Sequence, residues 1–456
     1  MHFRALGPSA PTGVRLTPHQ ATAGRLVEGW FKEARAVRRR RGRQIAHFFL
    51  AGYAGTGKTT VLRRVCKSLG VKTVVWTAPT AKAASVMRLR GLPFADTIHS
   101  AIFQPVDTEK DGRPAIEFRR SPTLWVGAHE YSPEDVDLFV VDEASMVDQD
   151  LGMAILSYGV PVLALGDPAQ LPPVAGTGYF TNREPDAFLT EVHRQARDNP
   201  ILRASLDVRE GRAISFDPSD GRLIGIDGKD ISVGLLDQEY DVVITGKHRT
   251  RWPLNDALRS LHGQNGKYPS NGGLVLGMRN HRNANWWNGL SYTVDAIAPH
   301  GVEEYVKEAK EAAEAISNRA ERTRVRGKWE KVLRHKDLLF AATFRSADDN
   351  SDQKPEHKAK TYLFSKRHFD IAQSRLELPK NVDWLYHDLE FVADALQADW
   401  EYVLTCHKSQ GSQFGRVAVV DDGWGRTQED RQRWLYTALT RAIDKVLVVQ
   451  GSPTLA

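Results

Sequence analysis

The residues best suited to chemistry form a glycine-rich run at 52–59, GYAGTGKT, which fits the pattern G-x-x-x-x-G-K-[ST]. An apolar stretch precedes the run and a helical pattern follows it, so the glycines lie between a predicted strand and a predicted helix. Glycines let the backbone turn tightly and aim its N–H groups at phosphate oxygens, while the helix start adds partial positive charge. In such a loop Lys58 contacts the β- and γ-phosphates and the Thr59 hydroxyl ligates Mg²⁺.

An acidic pair, Asp142 and Glu143, ends the apolar run DLFVVD. An acid at the end of a buried strand lies at the carboxyl edge of its sheet, where ligands bind in open α/β folds. Asp142 is therefore predicted to hold Mg²⁺ and Glu143 to activate the attacking water as a general base. Together with the glycine-rich run, this pair predicts nucleotide hydrolysis, without indicating what the hydrolysis drives.

The elements that must position these residues are short apolar strands alternating with helical stretches. Unbroken apolar strands separated by helices predict parallel sheets covered on both faces, the doubly wound α/β class. A helix is predicted at 59–68, and the second set of strands is interrupted by an insertion that is first β-rich and then charged and helical from 302 to about 334. The predicted strands are 47–51, 72–77, 137–142, 161–165, 241–245, 401–405, 416–420 and 445–449.

Composition narrows the class of protein. A chain of 456 residues suits two to four domains, and its net charge of +6 is compatible with a phosphate-backbone ligand without requiring one. The basic run at 38–43 is predicted to be a solvated loop. No apolar run reaches the length of a membrane span, and the start lacks the apolar core of a signal peptide. The two cysteines, Cys66 and Cys406, are far apart, which favours a reduced cytoplasm.

Seven further stretches follow one another along the chain, and each is a motif in its own right. They are LTPHQ at 16–20, APTAKAA at 78–84, TIHS at 97–100, GDPAQLPPV at 166–174, EVHRQ at 191–195, TCHKSQGSQF at 405–414 and WLYTALTRA at 434–442. In this order the chain resembles the RecD/Dda-like branch of superfamily 1 helicases, also called superfamily 1B. The resemblance implies an ATP-dependent DNA helicase that moves 5′→3′ along single-stranded DNA.

The resemblance also implies an arrangement of domains. It consists of two RecA-like lobes, each a doubly wound parallel sheet, with a small insertion in the first lobe and an SH3-like β-rich insertion in the second. The predicted boundaries are 1–195 for lobe 1A with 100–135 as its 1B or pin region, 196–265 and 385–456 for lobe 2A, and 266–384 for the inserted 2B domain with a charged helical extension.

Roles around the nucleotide come from the same resemblance. Gln20 is implied to read the adenine edge, because an amide both donates and accepts. Gln170 is implied to sense the γ-phosphate, and Arg194 and Arg441 to act as arginine fingers. For Arg194 an ordinary salt bridge is the alternative. Gln413 stands where the family has Glu at the ribose, which puts sugar selectivity in doubt. The predicted catalytic residues are Lys58, Glu143, Gln170, Arg194 and Arg441, the metal ligands Thr59 and Asp142, and the ATP-binding residues Gln20, Gly52, Gly55, Thr56, Gly57, Lys58, Thr59, Thr60 and Gln413.

Contacts to DNA are implied for residues in the motifs that follow strands, where hydroxyl and amide donors bind phosphates without reading bases. For Thr80 and Ser100, helix capping is a compatible alternative. For Trp286 and Trp287, a base-stacking platform and barrel packing are equally supported. The predicted DNA-binding residues are Pro79, Thr80, Thr97, His99, Ser100, Thr405, His407, Lys408, Gln410, Trp286 and Trp287. The candidates for a strand-separating pin, each explained as well by packing, are Phe103, Phe118 and Trp125.

The expected cofactors are ATP and Mg²⁺, and the expected partners are single-stranded DNA, single/double-strand junctions and a single-strand-binding protein. A monomer without membrane association is expected in a bacterial cytoplasm, or in the host cytoplasm for a phage protein. Three alternatives stay open: a translocase that unwinds poorly, an RNA-directed helicase, and a non-catalytic DNA-binding subunit. The intact Lys58, Asp142 and Glu143 argue against the last.

Overall fold

The structure is a computed structural model, and its described residues fall into two compact units. Unit 1 lies within Met1–Val106, Glu117–Asp230 and Thr405–Ser452, and unit 2 within Asp107–Ile116, Ile231–Leu404 and Pro453–Ala456. The residues described are 16–39, 47–92, 94–110, 113–127, 129–173, 176–191, 199–217, 219–279, 281, 284, 286, 288–298, 301–346, 362–374 and 395–455.

Helices and strands alternate through both units. The helices are α1 (Pro18–Arg39), α2 (Lys58–Leu69), α3 (Ala81–Leu89), α4 (Ile98–Ile102), α5 (Gln149–Leu156), α6 (Pro200–Arg209), α7 (Val233–Glu239), α8 (His248–Leu261), α9 (Gly301–Glu314), α10 (Arg319–Arg334), α11 (Arg367–Ser374), α12 (Cys406–Ser409) and α13 (Gln428–Leu439). The strands are β1 (Phe48–Gly52), β2 (Val74–Ala78), β3 (Asp96–Thr97), β4 (Phe103–Lys110), β5 (Arg113–Arg120), β6 (Leu124–Val126), β7 (His129–Tyr131), β8 (Leu138–Val141), β9 (Val162–Gly166), β10 (Ala187–Leu189), β11 (Leu223–Asp227), β12 (Val242–Thr245), β13 (Leu274–Gly277), β14 (Ser291–Ile297), β15 (Leu339–Ser346), β16 (Tyr362–Ser365), β17 (Leu396–Trp400), β18 (Val403–Thr405), β19 (Phe414–Asp421) and β20 (Ala442–Gln450).

The first sheet belongs to unit 1 and holds six parallel strands in the order β10-β1-β9-β8-β2-β3. Side chains alternate across it: Phe48 and Leu50 pack with residues of α1 and α2, whereas Phe49 and Ala51 pack with residues of α4 and α5. Both faces are therefore covered, which is why its strands are apolar without interruption. The strands predicted between 47 and 165 are confirmed to within a few residues.

A second parallel sheet in unit 1 contains β11, β20 and β19 in that order. The central residues of β19 and β20 are buried, as the runs RVAVV and KVLVV predicted. The predicted strands at 241–245 and 401–405 are also confirmed, as β12 and β18. The predicted α/β class with two parallel sheets is thus correct.

Unit 2 contains a closed barrel of strands β13 to β17. Its pairs are antiparallel except for β16 and β17, which run parallel. The fifth strand, Leu396–Trp400, lies beyond residue 384, where the sequence placed the end of the insertion. The insertion therefore extends at least to Trp400. Its likeness to an SH3 barrel stays a prediction.

The charged stretch after 301 forms two helices, α9 and α10. Their apolar sides bury Val306, Trp329 and Val332 together with Leu339 at the start of β15. The ring of Tyr305 packs against Trp329 at a centroid distance of 5.9 Å. The helical content predicted from 302 to about 334 is confirmed, and one side of each helix packs against this apolar cluster.

The small insertion of the first lobe consists of the strand pairs β4–β5 and β6–β7. Phe118 is exposed, and Phe103 packs at the edge of the unit 1 core, so the identity of a pin stays a prediction. Asp111 and Gly112, a pair typical of a hairpin turn, lie outside the described residues.

The basic run at 38–43 is only partly described. Arg38 belongs to α1, and its guanidinium donates to the carbonyls of Pro133 and Val136. The interpretation of this residue as part of a solvated loop is therefore wrong, while 40–43 lie outside the described residues. Among the described helices, none is long and apolar enough to cross a membrane.

Candidate nucleotide site and its neighbours

The phosphate loop connects the end of β1 to the start of α2. Gly55 and Gly57 have φ values of 75° and 83°, in the left-handed region that glycine tolerates best. A Cβ added at Gly52 would lie 2.7 Å from Thr56 Oγ1 and 2.9 Å from Lys58 Cγ. The glycines therefore permit both the turn and the close approach that the loop requires.

Backbone carbonyls of the loop are held by three side chains. Lys58 Nζ donates to the carbonyl of Gly52 at 2.6 Å, which keeps its charge at the loop, and the Thr56 hydroxyl donates to Tyr53 at 2.8 Å. Gln20, from α1, is buried and donates its amide to the carbonyl of Thr56 at 3.0 Å. Gln20 thus supports the loop, and its predicted contact with adenine stays a prediction.

A cavity of about 500 Å³ opens over the loop. Its size is within the range of small-molecule sites. Every residue of its lining belongs to unit 1. It brings together most of the residues that the sequence predicted for nucleotide binding and catalysis, namely Gly55, Gly57, Lys58, Thr59, Thr60, Asp142, Glu143, Gln170, Gln413 and Arg441.

Two neighbouring carboxyl groups lie on the wall beyond β8. Removal from water and, second, the carboxylate of Glu143 raise the pKa of Asp142 to about 6, against the opposing charge of the Lys58 ammonium. Glu143 has φ of 53°, the one non-glycine residue at positive φ among those described. Such strain costs of order 1–3 kcal/mol and concentrates at functional sites.

The donors on this wall suit a magnesium ion. The Thr59 hydroxyl and the Asp142 carboxyl both line the cavity, and Mg²⁺ takes hard oxygen ligands of this kind. The raised pKa of Asp142 indicates a carboxyl whose charge gains from a cation beside it. These residues fit the ion that the sequence predicted.

Two predicted catalytic side chains reach the cavity from other motifs. Arg441 is 4% exposed, and its guanidinium donates to the carbonyls of Thr437 at 3.0 Å and Ser412 at 3.3 Å. Gln170 is 5% exposed, and its Oε1 is buried without a hydrogen-bond partner in the described structure. An acceptor in that position could bind a water or hydroxyl donor. Arg194 lies outside the described residues, so its role as a finger stays a prediction.

The sequence analysis did not identify two further cations on the cavity wall, Arg63 and Arg90. Burial lowers the pKa of Arg63, and the charge of Arg90 lowers it further. Arg90 donates to Gln413 Oε1 at 2.8 Å. Arg63 follows Thr59 by one helical turn, so its spacing from the loop was the signal that could have indicated it.

A hydrogen-bonded segment at 167–171 connects three motifs, and the sequence analysis gave no role to most of the residues involved. The Tyr436 hydroxyl donates to the Asp167 carboxylate and accepts from the backbone N–H of Ala54 at 3.2 Å. The Thr437 hydroxyl accepts from the backbone N–H of Leu171 at 2.9 Å. Helix α13 thus contacts both ends of the segment that carries Gln170.

Several predicted DNA contacts are helix caps. Thr80 caps α3 by accepting from Ala83 N at 3.2 Å, and Thr97 caps α4 by accepting from Ser100 N at 3.0 Å. Thr97 also donates to the hydroxyl of Ser100 at 2.9 Å, and both are buried. Capping is therefore the observed role of these hydroxyls, and burial of Thr97 and Ser100 disfavours a contact with phosphate.

The remaining predicted DNA contacts in unit 1 differ in exposure. Gln410 and Thr405 are buried, and the Gln410 amide donates to the carbonyl of Leu171 at 2.9 Å. The His407 ring packs edge-on against Trp424 at 5.3 Å. Those exposed or partly exposed to solvent are Pro79, Thr80, His99, His407 and Lys408.

Trp286, in unit 2, is the core of the barrel. It is fully buried, stacks on Tyr292 at a centroid distance of 4.0 Å, and donates its indole N–H to the carbonyl of Gln397 at 3.1 Å. A ring enclosed on all sides cannot stack on a base, so the interpretation of Trp286 as a DNA platform is wrong. Trp287 lies outside the described residues.

A phosphate loop between strand and helix, a carboxyl pair and an arginine at one cavity define the class of P-loop nucleotide hydrolases. Residues 33–224 match the family described as AAA domain, and residues 401–449 match the family described as UvrD-like helicase C-terminal domain. With the relatives below, these matches show that the chain is similar to the RecD/Pif1-like superfamily 1B helicases over these regions.

The chain is 34% identical over 173 residues to the ATP-dependent RecD2 DNA helicase of Deinococcus radiodurans, covering 36% of this chain and 22% of that protein. It is 30% identical over 181 residues to the ATP-dependent DNA helicase dda of Enterobacteria phage T4, covering 36% and 38%. It is 30% identical over 220 residues to the ATP-dependent DNA helicase Pif1 of Bdellovibrio bacteriovorus, covering 44% of each. The chain thus spans less than half the length of each relative. A crystal structure of Bacteroides Pif1 bound to ssDNA has a TM-score of 0.48 and 17% identity, covering 96% of this chain and 92% of that chain.

Proposed function

We propose that this protein is an ATP-dependent DNA helicase that moves 5′→3′ along single-stranded DNA and unwinds duplexes. One observation carries the proposal: a single cavity joins Lys58 of the phosphate loop, Glu143 beyond β8 and Arg441 of α13. The relatives named as ATP-dependent DNA helicases support the link from nucleotide hydrolysis to unwinding.

The residues have separate tasks in hydrolysis. Lys58 and Arg441 neutralise charge on the phosphoryl oxygens, and Glu143 orients a water for attack and accepts its proton. Gln170 offers its free Oε1 to the same water. Thr59 and Asp142 would hold Mg²⁺, which supplies further neutralisation of the phosphates when bound.

The contact with DNA is proposed to rest on backbone phosphates and not on base identity. Exposed donors of the motifs, such as Lys408 and His99, suit phosphate contacts. A single-strand-binding protein is proposed as an additional partner, and a monomer in the cytoplasm as the working state.

The test is ATP-dependent unwinding of a DNA duplex that carries either a 5′ or a 3′ single-stranded tail. Lys58→Ala is the control, because it removes the ammonium that holds the β- and γ-phosphates. Unwinding of only the 5′-tailed duplex supports the whole proposal. Unwinding of only the 3′-tailed duplex keeps the motor and overturns the direction.

Two other outcomes select the alternatives. ATP hydrolysis stimulated by single strands, with neither duplex unwound, indicates a translocase. Stimulation by RNA equal to or above that by DNA indicates an RNA-directed helicase. No ATP hydrolysis by the wild type, with or without nucleic acid, contradicts the enzyme and leaves a binding subunit.

A further inference from the structure

A short segment of unit 1, residues 167–171, is held at both ends by one helix. Consecutive residues of α13 make the contacts, Tyr436 to the Asp167 carboxylate and Thr437 to the backbone N–H of Leu171. At the same end, the Gln410 amide donates to the Leu171 carbonyl at 2.9 Å. Between the fixed ends lies Gln170, whose Oε1 has no partner in the described structure.

The Tyr436 hydroxyl also reaches the phosphate loop. It accepts from Ala54 N at 3.2 Å while it donates to Asp167, and a hydroxyl can do both at once. Tyr436 and Asp167 are both buried, so water cannot replace either bond at low cost. One oxygen atom therefore fixes the distance between the loop that holds Lys58 and the segment that holds Gln170.

The groups around Asp167 suit this role. Its Oδ1 accepts from Ala169 N at 3.0 Å, so both carboxylate oxygens have donors. The charges that act on it are the Lys58 ammonium and the Glu143 carboxylate, the two groups expected at the reacting phosphate. Burial raises the pKa of Asp167, and the hydroxyl of Tyr436 opposes that rise.

We propose that Tyr436 is a positioning residue that holds the phosphate loop and the Gln170 segment at a fixed distance from each other. The proposal rests on the proposed function, because Gln170 matters only when a nucleotide is hydrolysed. Loss of the hydroxyl leaves Ala54 N and Asp167 without their partner. The loop still binds phosphates through its own N–H groups and Lys58, so binding persists while the attacking water loses its orientation.

The variant Tyr436→Phe removes only the hydroxyl. The DNA-stimulated kcat is expected to fall by roughly tenfold or more, as when a group that orients an active-site ligand is lost, while the KM for ATP changes little. Tyr158→Phe is the matched control, since its buried hydroxyl also lies within hydrogen-bonding distance of two backbone groups, the carbonyls of Ile102 and Ser121, which share its one proton. If Tyr436→Phe matches Tyr158→Phe in kcat, or raises KM by the factor by which kcat falls, the proposal is overturned.

A double-mutant cycle tests the partner. Asp167→Asn replaces one of the two carboxylate oxygens with an NH2 donor, so the Tyr436 hydroxyl and Ala169 N no longer have an oxygen each, and kcat is expected to fall. The double variant is expected to lose less than the product of the two single losses, because both changes affect the bond between Tyr436 and residue 167. If kcat of the double variant falls by the product of the two single losses, the two residues do not act through a shared bond.

Hydrogen exchange gives a readout that does not need turnover. In Tyr436→Phe the amide of Ala54 and those of 167–171 are expected to exchange faster than in the wild type and in Tyr158→Phe. Unchanged exchange at these amides overturns the proposal whatever the activity. If the wild type hydrolyses no ATP but Tyr436→Phe still exchanges faster at these amides, the proposed function is contradicted. The role of Tyr436 in holding the two segments together is then still supported.

Discussion

At the scale of single residues, the cavity places two adjacent carboxyl groups in different environments. Asp142 has its pKa raised to about 6 by removal from water and by the neighbouring Glu143, whereas Glu143 is held by a strained left-handed backbone. We propose that the different environments give each acid its own task, Asp142 toward the metal and Glu143 toward water.

The raised pKa of Asp142 predicts a dependence on pH. Above pH 6 the carboxylate is charged and can ligate Mg²⁺, and below it the proton competes with the metal. Between pH 7.5 and 5.5 the Mg²⁺ concentration that half-saturates ADP binding is expected to rise by roughly fourfold through Asp142. Titration of a fluorescent ADP with Mg²⁺ at both values measures this rise.

The control for that experiment is Glu143→Gln, which removes the carboxylate that raises the pKa of Asp142. Its pH dependence should shift toward lower pH, while the phosphate of ADP titrates alike in both proteins. The difference between variants therefore reports Asp142. Superimposable curves for the wild type and the variant would rule out this coupling.

The sequence predicted residues of the site well where a motif is local. Lys58 and Thr59 follow from one turn of backbone, and Asp142 from the end of one strand. Tyr436 could not be assigned, since its partners Ala54 and Asp167 come from distant positions and only the fold brings them together. The burial of Trp286 excludes its predicted contact with DNA, and nothing in the sequence distinguishes a buried aromatic ring from an exposed one.

At the scale of elements, the barrel of unit 2 is built around one aromatic cluster. Trp286 stacks on Tyr292 and meets Phe344 at 4.9 Å and Phe364 at 5.4 Å, both edge-on. These rings come from β14, β15 and β16, so Trp286 contacts side chains of three strands. Its indole N–H also satisfies the Gln397 carbonyl of β17.

Trp286→Ala is therefore expected to lower the free energy of unfolding by about 3–5 kcal/mol, through the cavity left in the barrel. Urea denaturation followed by circular dichroism measures it, with Phe118→Ala as an exposed aromatic control. Trp286→Phe should recover part of the loss and keep the wild-type affinity for single-stranded DNA. Weaker DNA binding by a stable Trp286→Phe would restore the stacking role.

Predicted and observed elements agree where apolar runs are continuous and differ where strands mix polar residues. Strand β17 reads LQADW, and its Asp399 forms a buried ion pair with Arg251 at 2.9 Å. This strand lacks a continuous apolar run, so the end of the insertion was predicted at residue 384, before the strand. The two charged helices were predicted from the sequence, but their packing against β15 through Val306, Trp329 and Val332 was not.

At the scale of the whole molecule, the balance of positive and negative charge bears on the proposed binding of DNA. The chain carries 62 Lys and Arg against 56 Asp and Glu, and acids within the structure pair with many of the cations, as Asp399 does with Arg251. We therefore propose that DNA affinity comes from local cations of the motifs, such as Lys408.

Binding to single-stranded DNA is consequently expected to follow counterion release from a small number of phosphate contacts. The logarithm of the affinity should fall linearly with the logarithm of salt concentration, with a slope of about −0.7 for each phosphate neutralised, and alike for different base sequences. Fluorescence anisotropy with two oligonucleotides of unrelated sequence, over a series of salt concentrations, measures the slope. Lys408→Ala should reduce the magnitude of this slope by less than one unit, because one side chain neutralises at most one phosphate. The control Lys307→Ala, at an exposed lysine of α9, should leave the slope unchanged. An affinity that is independent of salt, or that depends strongly on base sequence, would mean that stacking or base readout dominates. The proposed binding through backbone phosphates would then be wrong.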